Sequence, residues 1–212
     1  MDQVVGYFEV LNMHYTGANA EVKESIVTAF LKPIRFVTAK YADLKCEVFP
    51  DSLVLGCDPE FLETFLQIVR GLYRNWCANY ILVRGGIAYG EIDSMSGCFE
   101  KSLLSLTNGM KMVRLNGPAL ADAYRLTEGE VPGMLCFFTP LLREVIRGNA
   151  PELITEDIPQ SLVWFDSGNS AGYSSIFRMM LERTEPHLRK AAPHIVATIE
   201  FIEHHTRNES KQ

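Results

Sequence analysis

Lys45-Cys46-Glu47-Val48-Phe49-Pro50-Asp51-Ser52-Leu53-Val54-Leu55-Gly56 decides how this chain is read. Two short apolar, β-prone runs flank a Pro-Asp turn, which is the pattern of a hairpin with an acidic side chain at its tip. A second acid lies within the apolar run Val4-Val5-Gly6-Tyr7-Phe8-Glu9-Val10-Leu11. A carboxylate inside such a strand is costly to desolvate unless it is paired or bound to a metal ion. If the two strands pair, Glu9 and Asp51 can hold divalent cations, which points to phosphoryl-transfer chemistry.

The bulk numbers bound the possibilities. The chain has 212 residues, enough for one domain with a real core, and is 47% hydrophobic and 22% charged, as expected of a soluble globular protein. A net charge of −6 argues against a general nucleic-acid surface. Five cysteines, Cys46, Cys57, Cys77, Cys98 and Cys136, form no CxxC pair and fall mostly in apolar contexts. Buried free thiols in a reducing cytoplasm are the expectation. Met1-Asp2-Gln3 lacks the basic start of a secretory leader, and no apolar run approaches the roughly 18 residues of a membrane span.

Outward from the hairpin, apolar spacing over residues 20–40 (Val22, Ile26, Ala29, Phe30, Ile34) predicts a helix kinked or broken at Pro33. Asp58-Pro59 is expected to cap a helix running to about residue 78. A long strand region follows at 80–92, its glycines marking a bulge or a close backbone approach. A possible strand near 110–115, a helix at 117–128, a strand at 134–138 and a helix from Thr139-Pro140 to about Arg147 come next. Ser161–Phe165 reads as another strand. Residues 176–204 read as helical, interrupted near Pro186 and Pro193, with a polar tail that frays from Thr206. Interspersed strands and helices give an α+β fold, a mostly antiparallel sheet flanked by helices, since a two-acid hairpin needs antiparallel partners.

The order of these motifs resembles the class III nucleotidyl cyclase catalytic domain, which has a ferredoxin-like core. The likeness covers roughly residues 4–128. Arg84-Gly85-Gly86-Ile87-Ala88-Tyr89-Gly90-Glu91-Ile92 is similar to that family's Arg-Ile-Gly-Ile-His-x-Gly strand, and Gly117 to Arg125 to its Gly-x-x-Val-Asn-x-Ala-x-Arg helix. The compact form, with Phe-x-Asp-Ser and Gly-Pro-Ala-Leu-x-x-Ala-Tyr, looks most like the bacterial pyrimidine cyclases of Pycsar anti-phage systems. The resemblance implies a single domain over 1–212, with the motif-bearing core at about 4–128 and further strands and helices at about 130–205. It also implies a cytoplasmic homodimer with composite sites that acts on a nucleoside triphosphate, with no nucleic-acid or membrane partner.

Carried onto this sequence, the resemblance implies two Mg²⁺ or Mn²⁺ ions per site, held by Glu9, Asp51 and the backbone of Val10. Residues Leu11, Asn12, Met13 and His14 would cover the phosphates with N–H groups. Glu9 stands where the family has Asp, one methylene shorter. Arg125 takes the position of the arginine that stabilises charge on the α-phosphate in the partner's site. The family's asparagine is Ala121 here, and its triphosphate lysine has no clear counterpart, with Arg143, Arg147 and Arg178 as unranked substitutes.

The two base-selecting positions fall on Glu47 and Arg114. A carboxylate accepts from a ring N–H and a guanidinium donates to a keto oxygen, so uracil and guanine both fit. The likeness to compact pyrimidine cyclases puts UTP first, GTP second and CTP third, with cyclic UMP as an anti-phage second messenger. A non-catalytic, nucleotide-binding dimerisation module is the rival, motivated by Glu9 and Ala121. Gly168-Asn169-Ser170-Ala171-Gly172 matches a nucleophile-elbow pattern, but a hydrolase acid and histidine have no room downstream. Neither a P-loop nor a Rossmann fingerprint is present.

Overall fold

Near-continuous apolar runs, buried on both faces, build the central strands, and their register sets the site. The structure is a computed structural model that describes residues 2–11, 20–94, 115–129, 131–155, 160–183 and 189–209. The elements in chain order are β1 (Asp2–Val10), α1 (Ala20–Lys40), β2 (Lys45–Val48), β3 (Ser52–Cys57), α2 (Leu62–Ala78) and β4 (Val83–Glu91). They continue with β5 (Asp93–Ser94), β6 (Leu115–Asn116), α3 (Pro118–Thr127), β7 (Cys136–Phe138), α4 (Pro140–Asn149), α5 (Ser170–Glu182) and α6 (Ala192–Glu209).

Five strands form one sheet in the order β2-β3-β1-β4-β7, and β5 and β6 form a separate two-stranded ribbon. All pairings in the main sheet are antiparallel except β4 with β7. This is the α+β arrangement expected from the sequence.

The sheet's two faces differ. On one, Val4, Phe8 and Val10 of β1 join the larger core with Phe30, Phe65, Trp76, Ile146, Phe177 and Ile195, so α1, α2, α4, α5 and α6 all contribute to it. Its aromatic groups have satisfied polar ends: Trp76 Nε1 donates to the Phe30 carbonyl (3.0 Å) and the Tyr73 hydroxyl to that of Leu135 (3.0 Å). On the opposite face a small cluster of Val5, Val54, Ala88, Ile92, Ala119 and Ala123 packs under α3. Glu9 and Tyr7 belong to that second face, because side chains alternate along β1.

Several local expectations are corrected. Pro33 does not break α1, which continues to Lys40 because Phe30 and Ile34 are fully buried and anchor it on both sides. Asp58 makes no side-chain cap, and a short 3₁₀ turn (Pro59–Phe61) precedes α2. Its carboxylate instead accepts from Gln3 Nε2 (3.2 Å) and pairs with Lys45 (3.7 Å). Thr139 likewise makes no side-chain cap for α4.

Ser161–Phe165 is not a strand but two isolated bridges, Phe137 with Ser161 and Ile154 with Leu162. The expected interruption near Pro193 is present: residues 189–190 are helical, Ala191 is a turn, and Pro193 sits in the first turn of α6, where a missing N–H costs nothing. That helix runs to Glu209, three residues past Thr206. Cys98 and Pro186 lie outside the described residues; the other four cysteines are buried and free. Burial pushes the thiols of Cys46, Cys57 and Cys77 up to about 12, so they stay protonated and unreactive.

The C-terminal helix is fastened to β7's approach by polar contacts. Gly133 N–H donates to His194 Nδ1 (3.1 Å), and Met134 N–H donates to Thr198 Oγ1 (2.8 Å). Burial lowers the pKa of His194, and the Arg84 charge adds to the effect. The unfolded chain therefore takes up a proton that the folded chain resists, and stability falls as pH drops below the ordinary histidine value of about 6.5. Urea denaturation at pH 7.5 and 5.5 is expected to show this loss, and His194→Asn, which keeps an acceptor, is expected to reduce it. An unchanged pH slope in the variant contradicts the assignment.

Candidate active site

Strand register brings the two acids together. Glu9 pairs with Ser52, the residue after Asp51, and Val10 N–H donates to the Asp51 carbonyl (2.8 Å). The turn is closed by Phe49 N–H donating to the Ser52 carbonyl (2.8 Å). The Ser52 hydroxyl reaches Asp51 Oδ1 at 3.4 Å. Glu9 and Asp51 are both half-buried. They therefore stand at neighbouring positions on two hydrogen-bonded strands, as the hairpin reading predicts.

Register adds residues that the motif reading missed. Directly paired residues share a face, so Glu9 is flanked by Ser52 on β3 and Arg84 on β4. In the next row Glu47, Val54, Tyr7 and Gly86 lie side by side across four strands. Glu47, proposed from the sequence as a base-selecting residue, is thus on the face that carries both acids, 9% exposed.

Burial raises the pKa of the Tyr7 phenol, the charges of Glu9 and Asp51 add to this, and a hydrogen bond with Ser52 opposes it. Tyr7 is therefore a neutral hydroxyl in the field of both carboxylates. The period-two alternation from Glu9 places Tyr7 on this face and is the signal that could have found it.

Arg84, 6% exposed, ties the acid row to α3. Its Nη1 donates to the carbonyls of Thr127 (2.9 Å) and Gly129 (2.7 Å), at the helix's C-terminal end. On the same helix Tyr124 meets Tyr7 edge-on, with ring centroids 5.2 Å apart. Arg125 is one residue on and points about 100° away. Its side chain is 73% exposed and paired with Asp122 at 3.1 Å.

The phosphate-covering segment is only partly described. Asn12, Met13 and His14 lie outside the described residues, as does Arg114. Leu11 is buried and its N–H donates to the Leu82 carbonyl (2.9 Å), so that group is engaged within the fold. Among the three basic substitutes, Arg178 pairs with Glu203 at 2.5 Å and lies away from Arg125, whereas Arg143 and Arg147 line the same groove as Arg125. The nucleophile-elbow serine, Ser170, opens α5, and His194, downstream of it, is engaged with Gly133.

Two carboxylates are hard oxygen donors of the type Mg²⁺ and Mn²⁺ prefer, so the residues fit such ions. Among the described residues no group of three or more His, Cys, Asp or Glu side chains converges on one point. A site with two protein carboxylates suits a cation that keeps several waters and takes phosphate oxygens.

No family model and no curated protein matches the sequence. Solved structures do. The guanylyl cyclase Cya2 superposes with a TM-score of 0.55 at 12% identity, over 68% of this chain and 77% of that one. The monomeric guanylyl cyclase domain of the RhoGC fusion protein from the aquatic fungus Blastocladiella emersonii gives 0.58 at 10% identity, over 76% and 94%. The adenylyl cyclase CyaB from P. aeruginosa gives 0.53 at 10% identity, over 73% and 82%. The chain has the fold of class III nucleotidyl cyclase domains. No helix among the described residues is long and apolar enough to cross a membrane.

Proposed function

We propose that this chain is a nucleotidyl cyclase, a single domain over 1–212 that converts a nucleoside triphosphate to its 3′,5′-cyclic monophosphate and pyrophosphate. The observation that carries this reading is the placement of Glu9 and Asp51 at the ends of paired strands, on the sheet face that, among the described residues, packs under α3. Glu9, Asp51 and the Val10 backbone would hold Mg²⁺ or Mn²⁺. Bound there, two such ions supply Lewis-acid activation of the ribose 3′-hydroxyl and neutralisation of the triphosphate.

The chain's own groups do the rest. Tyr7 offers a neutral phenol beside the acids. Arg125 is exposed and pairs with Asp122, which suits a homodimer in which it completes the partner's site. In that position a guanidinium stabilises charge that develops on the α-phosphate. Glu47, low on the same face, accepts from a ring N–H of the base. Together with Arg114 this favours a base with a keto oxygen beside an N–H, and we take UTP as the substrate and an anti-phage messenger as the product's role. GTP is the second reading, favoured by the same carboxylate at Glu47 and by the guanylyl cyclase domains among the structural neighbours.

Two assays bear on this. Pyrophosphate release from an NTP is expected to require Mg²⁺ or Mn²⁺ and to stop with EDTA; release that survives EDTA contradicts the two-ion site. Arg125→Ala is expected to lower kcat about a hundredfold while nucleotide binding changes little. Equal losses in both would remove the transition-state role from Arg125.

A further inference from the structure

β4 holds α3 at two points. Gly86 lies under Ala123, so close that a Cβ on it would stand 2.1 Å from the Ala123 carbonyl oxygen. Two residues earlier, on the same face of the strand, Arg84 reaches the end of the helix. Its Nη1 donates to the carbonyl of Thr127, the last helical residue (2.9 Å), and to that of Gly129 just beyond (2.7 Å). The final carbonyls of a helix have no partner within it, and the negative end of its dipole favours a cation. Arg84 is almost fully buried, so these charge-assisted bonds form a fixed anchor. Its Cζ also lies 5.9 Å from the centre of the Phe137 ring, on the neighbouring strand β7. Arg125 stands between the two anchors. Ala123 and Thr127 are one turn apart and share the buried face of α3. Arg125, two residues from each, projects from the other side of the helix, where its side chain is exposed.

We infer that Arg84 is a positioning residue for Arg125: it fixes the C-terminal turn of α3 on the sheet and so sets where Arg125 is presented to the partner's acids. The inference rests on the reading of the chain as a cyclase with composite sites. It has a consequence that the strand register alone does not suggest. Arg84 stands opposite Glu9 of its own chain, yet its effect falls on the other site of the dimer. A displacement of Arg125 by about 1 Å is enough to matter, because misplacement of that size can cost roughly a hundredfold in rate.

The first readout needs no activity. In Arg84→Gln the backbone amides of residues 124–128 are expected to exchange hydrogen about tenfold faster or more, while those of β1 and β3 stay as in the parent. Unchanged exchange in α3 overturns the inference. Arg84→Lys, which keeps the charge but not the planar fork, carries the same expectation if the glutamine variant misfolds. The second readout is complementation in mixed dimers of two differently tagged chains, measured as cyclic-nucleotide production. Asp51→Ala with Arg125→Ala is the control, expected to recover about half of the parent turnover because one of two composite sites is intact. Arg84→Gln is expected to behave as Arg125→Ala does. It recovers with Asp51→Ala, whose chain supplies an intact α3, and stays low with Arg125→Ala. Recovery with Arg125→Ala and none with Asp51→Ala places Arg84 in its own acid row and overturns the inference. A control that does not recover counts instead against the composite dimer, and hydrogen exchange then decides the anchor by itself.

Discussion

Asp51→Ala abolishes cyclic-nucleotide production, by about a thousandfold or more, while the protein melts as before. A loss of that size corresponds to roughly 4 kcal/mol of transition-state stabilisation, the scale expected when charge compensation at a transferring phosphoryl group is removed. The fold should not notice. What the fold uses of Asp51 is its backbone carbonyl, which accepts from Val10 N–H, and alanine keeps that carbonyl. The side chain is half-buried at a turn, and among the described residues its hydrogen-bond partner is the Ser52 hydroxyl, at 3.4 Å. Stability should therefore stay within about 0.5 kcal/mol, as for most surface substitutions. Steady-state product formation together with a thermal melt checks both halves. Turnover that persists in a folded variant removes Asp51 from the metal site.

Gly86→Ala has the largest expected effect on the fold. A Cβ there would lie 2.1 Å from the Ala123 carbonyl oxygen and 2.7 Å from Leu126 Cβ. Neither is the free end of a flexible side chain, so α3 must move off the sheet by roughly 1 Å. Overpacking of this kind costs about 1–3 kcal/mol, and more where backbone is struck. The same shift carries Tyr124 away from Tyr7 and moves Arg125, so activity should fall along with stability. Gly71→Ala is the contrast: nothing lies within 4 Å of its added methyl, in the middle of α2. That change should stabilise by up to about 1 kcal/mol through helix propensity. Chemical denaturation of both variants tests the pair; a Gly86→Ala protein as stable as the parent contradicts the close packing of α3.

Much of the fold was legible because the decisive pattern was local. The apolar run Val4 to Val10 and the Pro-Asp turn at 50–51 point to β1 and the β2–β3 hairpin, and the pairing of the two, which the sequence left conditional, places Glu9 beside Ser52. The glycines of β4 announced a close approach, and Gly86 under Ala123 is that approach.

What escaped depended on distant parts of the chain. Ser161–Phe165 has the composition of a strand, yet side chains of α2 take its carbonyls: Arg74 Nε donates to Trp164 O (2.7 Å) and Arg70 Nη2 to Phe165 O (3.4 Å). Asp58 sits where a cap is expected, but Lys45 and Gln3 claim its carboxylate. The place of Arg84 opposite Glu9 needs the strand order β3-β1-β4, which no spacing along the chain encodes. The grouping of Arg125 with Arg143 and Arg147 needs the edge strand β7 beside β4, since its Phe137 and Phe138 line the same groove.

The most direct measurement is incubation of the purified protein with each of the four NTPs and Mn²⁺, with the products identified by mass spectrometry. The account predicts a cyclic nucleoside monophosphate together with pyrophosphate, and cyclic UMP as the main species. Cyclic GMP in its place would keep the chemistry and overturn the base assignment. No cyclic product from any of the four would contradict the central claim and leave a nucleotide-binding module with a cyclase fold.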